Sequence, residues 1–543
     1  MRRTIYKLML FGLLTVLILS ACQDEGLGSG QLAVTVRVDG RSDVYRYDRA
    51  VPIGQFLDEK GITLGDDDKV NPPLQTQLAE GMVITITRVN IWRDCPAEVL
   101  SYGTQYVETQ GLRPGETRLL QSGQNGLGEV CYWVTEHDGV EQSRERIEAQ
   151  VNPIEPPRDE IIYIGVERPD TLVVFDGILA YISGGQAWVI EGSTVNNKPV
   201  TVDGRLDGRV FELSDDGQRL LYTRSNSAGD NPEFSNELWT ILDIAAEPPS
   251  PVQLTPDDVL TAAWVPGRTQ PTVSYSTALP SDSLGWDAEN DLYLMVVDPE
   301  NGAVDDIDQL IDRNGRGIYA YWGRRFVWSP DGQQLAWANG NEIGLVDQEA
   351  GAFETLLSFA EYETMLQLRQ GEVWVPTLSW SPDGTVLVAP VHGPPYSSER
   401  PEESSVFDLT VLRPETGQAI NPYKSMTGIW SNPTYSPVFD AGETYLVAFF
   451  VAREPLRSQG SQSEYDLWIA DSDGSNARRL FPPEGEDGFV QPKPEDGIAW
   501  SPDARHLAVI YQGNLWIIDV NTEIGYPITN DEQASRPRWT ANE

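Results

Sequence analysis

An all-β chain is the fold class the sequence predicts, and three observations predict it. The first is a recurring turn. Trp328-Ser329-Pro330-Asp331-Gly332, Trp380-Ser381-Pro382-Asp383-Gly384 and Trp500-Ser501-Pro502-Asp503-Ala504 are near-copies. Degenerate forms stand at Ser214-Asp215-Asp216-Gly217, Trp264-Val265-Pro266-Gly267 and residues 436–442. Ser-Pro-Asp-Gly suits a type I turn: a side-chain acceptor first, a ring fixing φ near about −65° second, and glycine last. The second observation is apolar alternation on both sides of the turn. Phe326-Val327-Trp328 precedes it and Leu335-Ala336-Trp337 follows, as two antiparallel strands would. A third strand ends in an acid, as in Leu515-Trp516-Ile517-Ile518-Asp519, and a fourth follows a short turn, as in Ala477-Arg478-Arg479-Leu480-Phe481. The third is composition: 48 Gly and 38 Pro in 543 residues favour short strands and tight turns over helix bundles. Four strands repeating every 50 to 65 residues or so, roughly, form a blade, and blades in series make a β-propeller.

From the start of the chain, Arg2, Arg3 and Lys7 precede an apolar run at residues 8–19. The run is too short to span a bilayer as a stable helix and is read as a signal-peptide core. It ends in Leu19-Ser20-Ala21-Cys22, which resembles the bacterial lipobox. That resemblance implies acylation of the Cys22 thiol, and the two or three chains of a lipoprotein cysteine meet the two-signal requirement for stable anchoring. Residues 1–22 are thus the expected lipoprotein signal and 23–31 a flexible tether.

Residues 32–88 form the next expected unit. Leu32-Ala33-Val34-Thr35-Val36-Arg37-Val38 alternates as a strand, Asp39-Gly40 is a hairpin turn, a short helix follows Pro52, and Met82 to Arg88 closes as a strand. The pattern resembles the small β-grasp-like repeats beside G5 domains in secreted bacterial cell-wall proteins. Residues 89–167 carry scattered glycines (Gly111, Gly115, Gly123, Gly126, Gly128, Gly139), a long strand around Cys131-Tyr132-Trp133-Val134, and a closing Glu160-Ile161-Ile162-Tyr163-Ile164-Gly165. They resemble the G5 domain itself, and that implies association with cell-wall or amino-sugar glycan; the same segment also reads as a structural spacer. Cys95 and Cys131 are the two cysteines besides Cys22, and in an exported chain they are expected to pair.

Residues 168–543 are the expected propeller, with seven blades predicted and six or eight as alternatives. Arg536-Pro537-Arg538-Trp539 looks like the opening of a further repeat and is expected to supply the inner strand missing from the first blade, closing the ring. The turn motif resembles TolB-like and WD40-like propellers. In each blade the A–B and C–D turns share one rim, and the long inserts are B–C or D–A connections, so length variation gathers on the other rim. Candidate ligand-binding residues there are Trp286, Trp322, Arg324, Arg325, Trp374, Tyr396 and Trp430, the aromatics as exposed stacking or anchoring surfaces.

A formal net charge of −43 argues against binding nucleic acid through the bulk surface. His137, His392 and His506 are isolated, and no metal-ligand spacing or Gly-x-Ser-x-Gly elbow is present, so no metal, cofactor or catalytic residue is assigned. The acid pairs Asp305-Asp306 and Glu402-Glu403, and the turns at Asp66-Asp67-Asp68 and Asp471-Ser472-Asp473-Gly474, are read as solvated. The expectation is a monomeric, non-catalytic surface lipoprotein outside the cytoplasm. Its partners are the membrane, through the lipid, and a cell-wall glycan or envelope protein. Two alternatives stand beside it. A glycan lyase or hydrolase in the propeller funnel requires two carboxylates and an Arg, Tyr or His converging on the central axis. A TolB-like subunit of an envelope complex requires a protein partner.

Overall fold

The structure, a computed structural model, describes residues 31–109, 115–165, 172–226, 235–281, 285–314, 323–362, 373–423, 425–438 and 444–541. The signal segment, Cys22 and Trp322 lie outside the described residues. Among the described residues no helix is long and apolar enough to cross a membrane. The chain divides into two compact units, one holding residues up to 103 with 123–158, the other 104–122 with 159 onward.

In the first unit, Leu32–Val38 and Arg41–Tyr47 form a hairpin through Asp39 and Gly40, both at positive φ (52° and 72°). An Asp-Gly pair supplies that primed-turn geometry at little steric cost. Leu32–Val38 then pairs in parallel with Val83–Thr87, whose far edge carries Lys69–Asn71. The helix Ile53–Glu59 lays Ile53, Phe56 and Leu57 on Val34, Val36, Ile84 and Ile86, all essentially inaccessible. Arg88 pins the exit strand, donating to Asp39 (2.9 Å) and Asp68 (2.6 Å). Burial alone would raise the Asp68 carboxyl, but the backbone N–H groups of Gly65 and Val89 and the Arg88 guanidinium outweigh it and hold it below the usual range. A second sheet is built on Gly126–His137, paired with Val140–Glu155 and with Val89–Asp94 and Ala97–Leu100. Cys95 and Cys131 are joined in a disulfide there, and Arg93 donates to both sulfurs at 3.2 and 3.1 Å.

The second unit begins with three strands from within residues 104–165: Thr104–Thr109, Glu160–Gly165 and Thr117–Gln121, with the middle one parallel to the first. Val107, Ile161 and Tyr163 pack with Val202, and the Tyr163 hydroxyl donates to the Pro199 carbonyl at 3.0 Å. The 89–167 segment is therefore shared between the two compact units.

Seven antiparallel sheets follow among the described residues. Their inner strands, in ring order, are Ser535–Thr540, Leu206–Leu213, Val259–Trp264, Arg325–Trp328, Ser379–Trp380, Thr434–Tyr435 and Ala499–Trp500. We number the sheets one to seven in that order. Sheet one closes the ring: Val174–Ser183 pairs with Ser535–Thr540, Leu179 opposite Trp539 and Ala180 opposite Arg538. The core lies between successive sheets. Sheets one and two bury Ala187, Phe211, Leu220 and Tyr222; sheets six and seven bury Phe450, Leu467, Trp500 and Val509; sheets seven and one bury Leu179, Tyr181, Leu515 and Ile517. Fully burying one such aliphatic or aromatic side chain is worth about 1.5–3 kcal/mol.

The repeated turn explains its own sequence. Ser329 Oγ donates to Asp331 at 2.5 Å and accepts the Gln334 N–H, while the Asp331 carboxylate accepts the Gln333 N–H and Gly332 sits at φ 66°. Ser214, Ser381 and Ser501 repeat the pattern with Asp216, Asp383 and Asp503. The preceding Trp ties each inner strand to the sheet before it. Trp328 Nε1 donates to Ser274 Oγ (2.9 Å), Trp380 Nε1 to the Val327 carbonyl (3.0 Å) and Trp500 Nε1 to the Thr434 carbonyl (3.1 Å).

Candidate functional site at the propeller axis

Among the described residues, the loop-bearing rim buries most of the predicted aromatics. Trp286 is buried on a short strand that folds back on its own sheet, with the Arg209 guanidinium 4.6 Å above its ring. Trp374 is buried edge-on against Phe407 at 5.0 Å. Trp430 packs into the core with Trp374, Phe407 and Ile429. Arg324 is buried too, its guanidinium 3.7 Å from the Phe353 ring centroid. The expectation of exposed stacking surfaces is corrected at Trp286 and Trp374, which are buried, while Trp430 is half-buried. Loops that bridge β-strands on a closed ring need cores of their own, and large apolar side chains supply them. Among the described candidates Tyr396 is the exposed aromatic, at 69%. Its loop is knitted by Glu399, which accepts from Tyr396 N–H and from Ser397. Beside that loop, sheets four and five enclose a cleft of about 470 Å³ lined by Phe359, His392, Asp408 and Asn421 among others.

Arg325 takes a different place, and its position in the repeat says why. Alternation along an inner strand sends the signature Trp, and the residue two before it, toward the preceding sheet and the residue one before it toward the following sheet, as Trp328 and Phe326 pack with sheet three and Val327 with sheet five. Phe326, Leu378, Ile498 and Pro537 accordingly hold the apolar positions, whereas Arg325, Thr377 and Arg536 stand three residues before Trp328, Trp380 and Trp539. Arg538 stands one before Trp539, and Glu212 is its counterpart in sheet two. Arg538 grips Glu212 through two bonds, Nε and Nη2 both at 3.0 Å. Asp496, on the connection into sheet seven, accepts the Arg536 backbone N–H at 3.1 Å, and Glu495 beside it exerts a charge effect on both Arg325 and Arg536. Residues from sheets one and two and from the entry to sheet seven therefore meet at their inner strands.

The electrostatics there are uneven. For Arg538, burial is outweighed by Glu212, and the guanidinium is held above its ordinary value. Burial and the charge of Arg538 push Arg536 down to about 10. Burial likewise lowers Arg325, with Glu495 opposing, and burial raises the Asp496 carboxyl. Arg325 Nε is enclosed with no hydrogen-bond partner among the described residues, and so is the hydroxyl of Thr377 at the equivalent position of sheet five. Arg536 is further marked by its backbone: φ is 56° at a non-glycine residue, where sheet one's register slips. Single-residue reasoning missed Arg536, Arg538, Glu212, Glu495 and Asp496. Aligning the repeats on their Trp and reading the position three before it would have found Arg536.

No group of His, Cys, Asp and Glu among the described residues could hold a metal ion. Asp305 and Asp306 lie on the exposed edge strand Val304–Ile311, and Glu402 and Glu403 on a single turn with Arg400.

Residues 34–75 match the model of the G5-linked-Ubiquitin-like domain and residues 96–167 that of the G5 domain. The chain is 28% identical over 155 residues to the resuscitation-promoting factor RpfB of Mycolicibacterium smegmatis, a match covering 28% of this chain and 40% of that protein. It thus spans less than half of that relative's length. Among solved structures, the periplasmic gluconolactonase PpgL of Pseudomonas aeruginosa shares 13% identity, with a TM-score of 0.40, over 69% of this chain and 100% of its own. A provisionally assigned 6-phosphogluconolactonase of Bacteroides uniformis shares 10%, TM-score 0.38, over 67% and 98%. A protein provisionally assigned as TolB from Agrobacterium tumefaciens shares 15%, TM-score 0.32, over 61% and 96%. These likenesses concern fold alone. The expectation of a non-catalytic chain is corrected: part of the chain matches a resuscitation-promoting factor, and missing motifs do not exclude catalysis. The chain carries a G5-linked ubiquitin-like domain and a G5 domain ahead of an all-β propeller.

Proposed function

We propose that this chain is a cell-envelope protein, held outside the cytoplasm by acylation of Cys22, whose G5-containing segment associates with wall glycan while the propeller engages a saccharide or envelope protein. The observation that carries the reading is the order of modules: a ubiquitin-like and a G5 domain directly ahead of a closed propeller whose long connections gather on one rim. The test is sedimentation of the whole chain with purified peptidoglycan, competed with soluble wall fragments. The whole chain is the right reagent because strands within 104–165 belong to the propeller's compact unit. No retention above that of an unrelated acidic protein would sink the glycan half. Metabolic labelling with a fatty acid, lost in Cys22→Ser, tests the anchor.

A second reading, a glycan-active enzyme with its site in the funnel, is supported by Glu212 and Asp496 standing against Arg538 and Arg536 at the inner strands. Release of reducing ends or unsaturated sugars from wall glycan tests it, and a preparation releasing neither would remove it.

A further inference from the structure

Among the described residues, one position of the repeat carries an aromatic ring in every sheet but the fifth. It is the pair formed by the second and third strands, two residues past the second-strand residue that faces the signature position. The pair is Tyr181–Trp188 in sheet one, Tyr222–Trp239 in sheet two and Tyr275–Tyr293 in sheet three. It is Trp337–Gly344 in sheet four, Phe449–Trp468 in sheet six and Val509–Trp516 in sheet seven. Each of these rings packs in the layer shared with the preceding sheet. Sheet five has Ala389 opposite Thr410 instead. With no ring there, the layer between sheets four and five opens into the cleft of about 470 Å³ that Thr410 lines. Ligand pockets span about 300–1,000 Å³.

We propose that the cleft is a docking pocket for the indole of a partner protein's tryptophan, which takes the place that sheets one, two, six and seven give to a Trp of their own. Sheet two supplies the pattern for the polar edge. There Trp239 Nε1 donates to Glu237, two residues before it, at 3.0 Å. Asp408 stands at the same place relative to Thr410 and lines the cleft. Its Oδ1 accepts the Met426 N–H at 2.6 Å, and among the described residues nothing donates to its Oδ2, which is left for an arriving N–H. Other polar groups are already engaged: Thr410 Oγ1 donates to Asn421 Oδ1 at 2.8 Å, and the two His392 ring nitrogens each lie 2.8 Å from a carbonyl, of Ala360 and of Ser404. The walls include Leu357, Phe359, Val391 and Pro394, against which a sugar would strand its hydroxyls. No lysine or arginine among the described residues lines the cleft, so an anion finds no counter-charge. The cleft reaches Ala419 on the short outer strand Gln418–Ile420, an edge along which the backbone of an arriving chain can lie. The inference rests on the protein half of the reading of the propeller; it does not need the G5 segment to touch the wall.

The test is calorimetric titration of the whole chain with N-acetyl-tryptophanamide, against the phenylalanine and alanine amides and N-acetylglucosamine. The tryptophan amide binds saturably, the phenylalanine amide about tenfold more weakly for want of the N–H, and the other two do not bind. Thr410→Trp supplies the ring from within, so it abolishes binding and melts no lower than the parent chain. Asp408→Asn keeps a carbonyl for the Met426 N–H but turns an amide nitrogen to the ring, and it weakens binding about tenfold. No binding of the tryptophan amide, equal binding of any of the other three, a lowered melting point of Thr410→Trp, or unchanged affinity in Asp408→Asn would each overturn the proposal. Envelope extract passed over the parent chain and over Thr410→Trp separates the pocket from the reading beneath it. Equal capture of a protein by both removes the pocket alone, and capture by neither removes the protein partner with it.

Discussion

Three glycine-type positions of the same turn motif should respond differently to one methyl group. Gly332 and Gly384 sit at φ 66° and 68°, and Ala504 occupies the same place at 56°. Placing any L side chain there costs about 1–2 kcal/mol. At Gly384 nothing is added to that, since the nearest atom to a new β-carbon is Ser329 Cβ at 4.0 Å. At Gly332 the β-carbon would lie 2.0 Å from the Pro266 carbonyl oxygen, part of the preceding sheet's turn, so backbone must move. Overpacking of that kind adds about 1–3 kcal/mol. Gly384→Ala should therefore cost about 1–2 kcal/mol and Gly332→Ala about 2–5 kcal/mol. Ala504→Gly should gain about 0.5–1 kcal/mol, the relieved strain less the freedom glycine adds to the unfolded chain. For a propeller of about 370 residues each kcal/mol moves the midpoint by roughly 1–2 °C, so calorimetry on the three variants resolves the order. Equal losses at Gly332 and Gly384, or a lowered midpoint for Ala504→Gly, would refute the reasoning.

Three further outcomes follow from the same contacts. Trp380→Phe removes the donor to the Val327 carbonyl and leaves that acceptor enclosed, so it should cost about 1–3 kcal/mol in thermal or denaturant unfolding. Asp331 and Asp383 are held below their ordinary values. At Asp331 the Ser329 hydroxyl leads; at Asp383 the Ser381 hydroxyl and Thr385 outweigh burial. A depressed carboxyl stabilises the fold above its unfolded value and loses that contribution as pH falls through the folded one. Melting points should thus drop as pH falls below about 4, and more shallowly in Asp331→Asn. Asp496 has the opposite sign: burial raises it, so the folded state holds its proton more tightly and its ionised form costs stability at neutral pH. Asp496→Asn should melt above the parent chain at pH 7, with the gap closing as pH falls toward about 3.9; a constant gap would count against it.

The turn motif was legible because everything it does is local: Ser329, Asp331 and Gly332 satisfy one another within a few residues, and the flanking alternation shows in the letters. The closing strand was legible for the same reason, as Trp539 repeats the aromatic of the other inner strands. The division inside residues 89–167 was not, since it depends on Glu160–Gly165 running parallel to Thr104–Thr109 across an intervening hairpin that belongs to the other unit. The axial cluster was legible only in part. Arg324 and Arg325 were named together, yet strand alternation turns them toward opposite faces of sheet four. Glu212, Glu495, Arg536 and Arg538 lie far apart in the chain and meet only because a ring brings its inner strands together. The rim aromatics failed for a plain reason: in a single sequence, a Trp that stacks on a ligand and a Trp that packs beneath its own loop are spelled alike.

The latch in sheet one has a consequence for how the molecule is made. Trp539 donates to the Asp176 carbonyl across 363 residues of chain. Sheets two to seven can assemble in order as they emerge, but sheet one waits for its partner, keeping the edge of Val174–Ser183 open until Ser535–Thr540 is made. An unpaired edge invites pairing with another chain, and contacts this remote in sequence form slowly. A chain lacking Ser535–Thr540 would be a wheel without its rivet, complete in six sheets and prone to join a neighbour through the seventh.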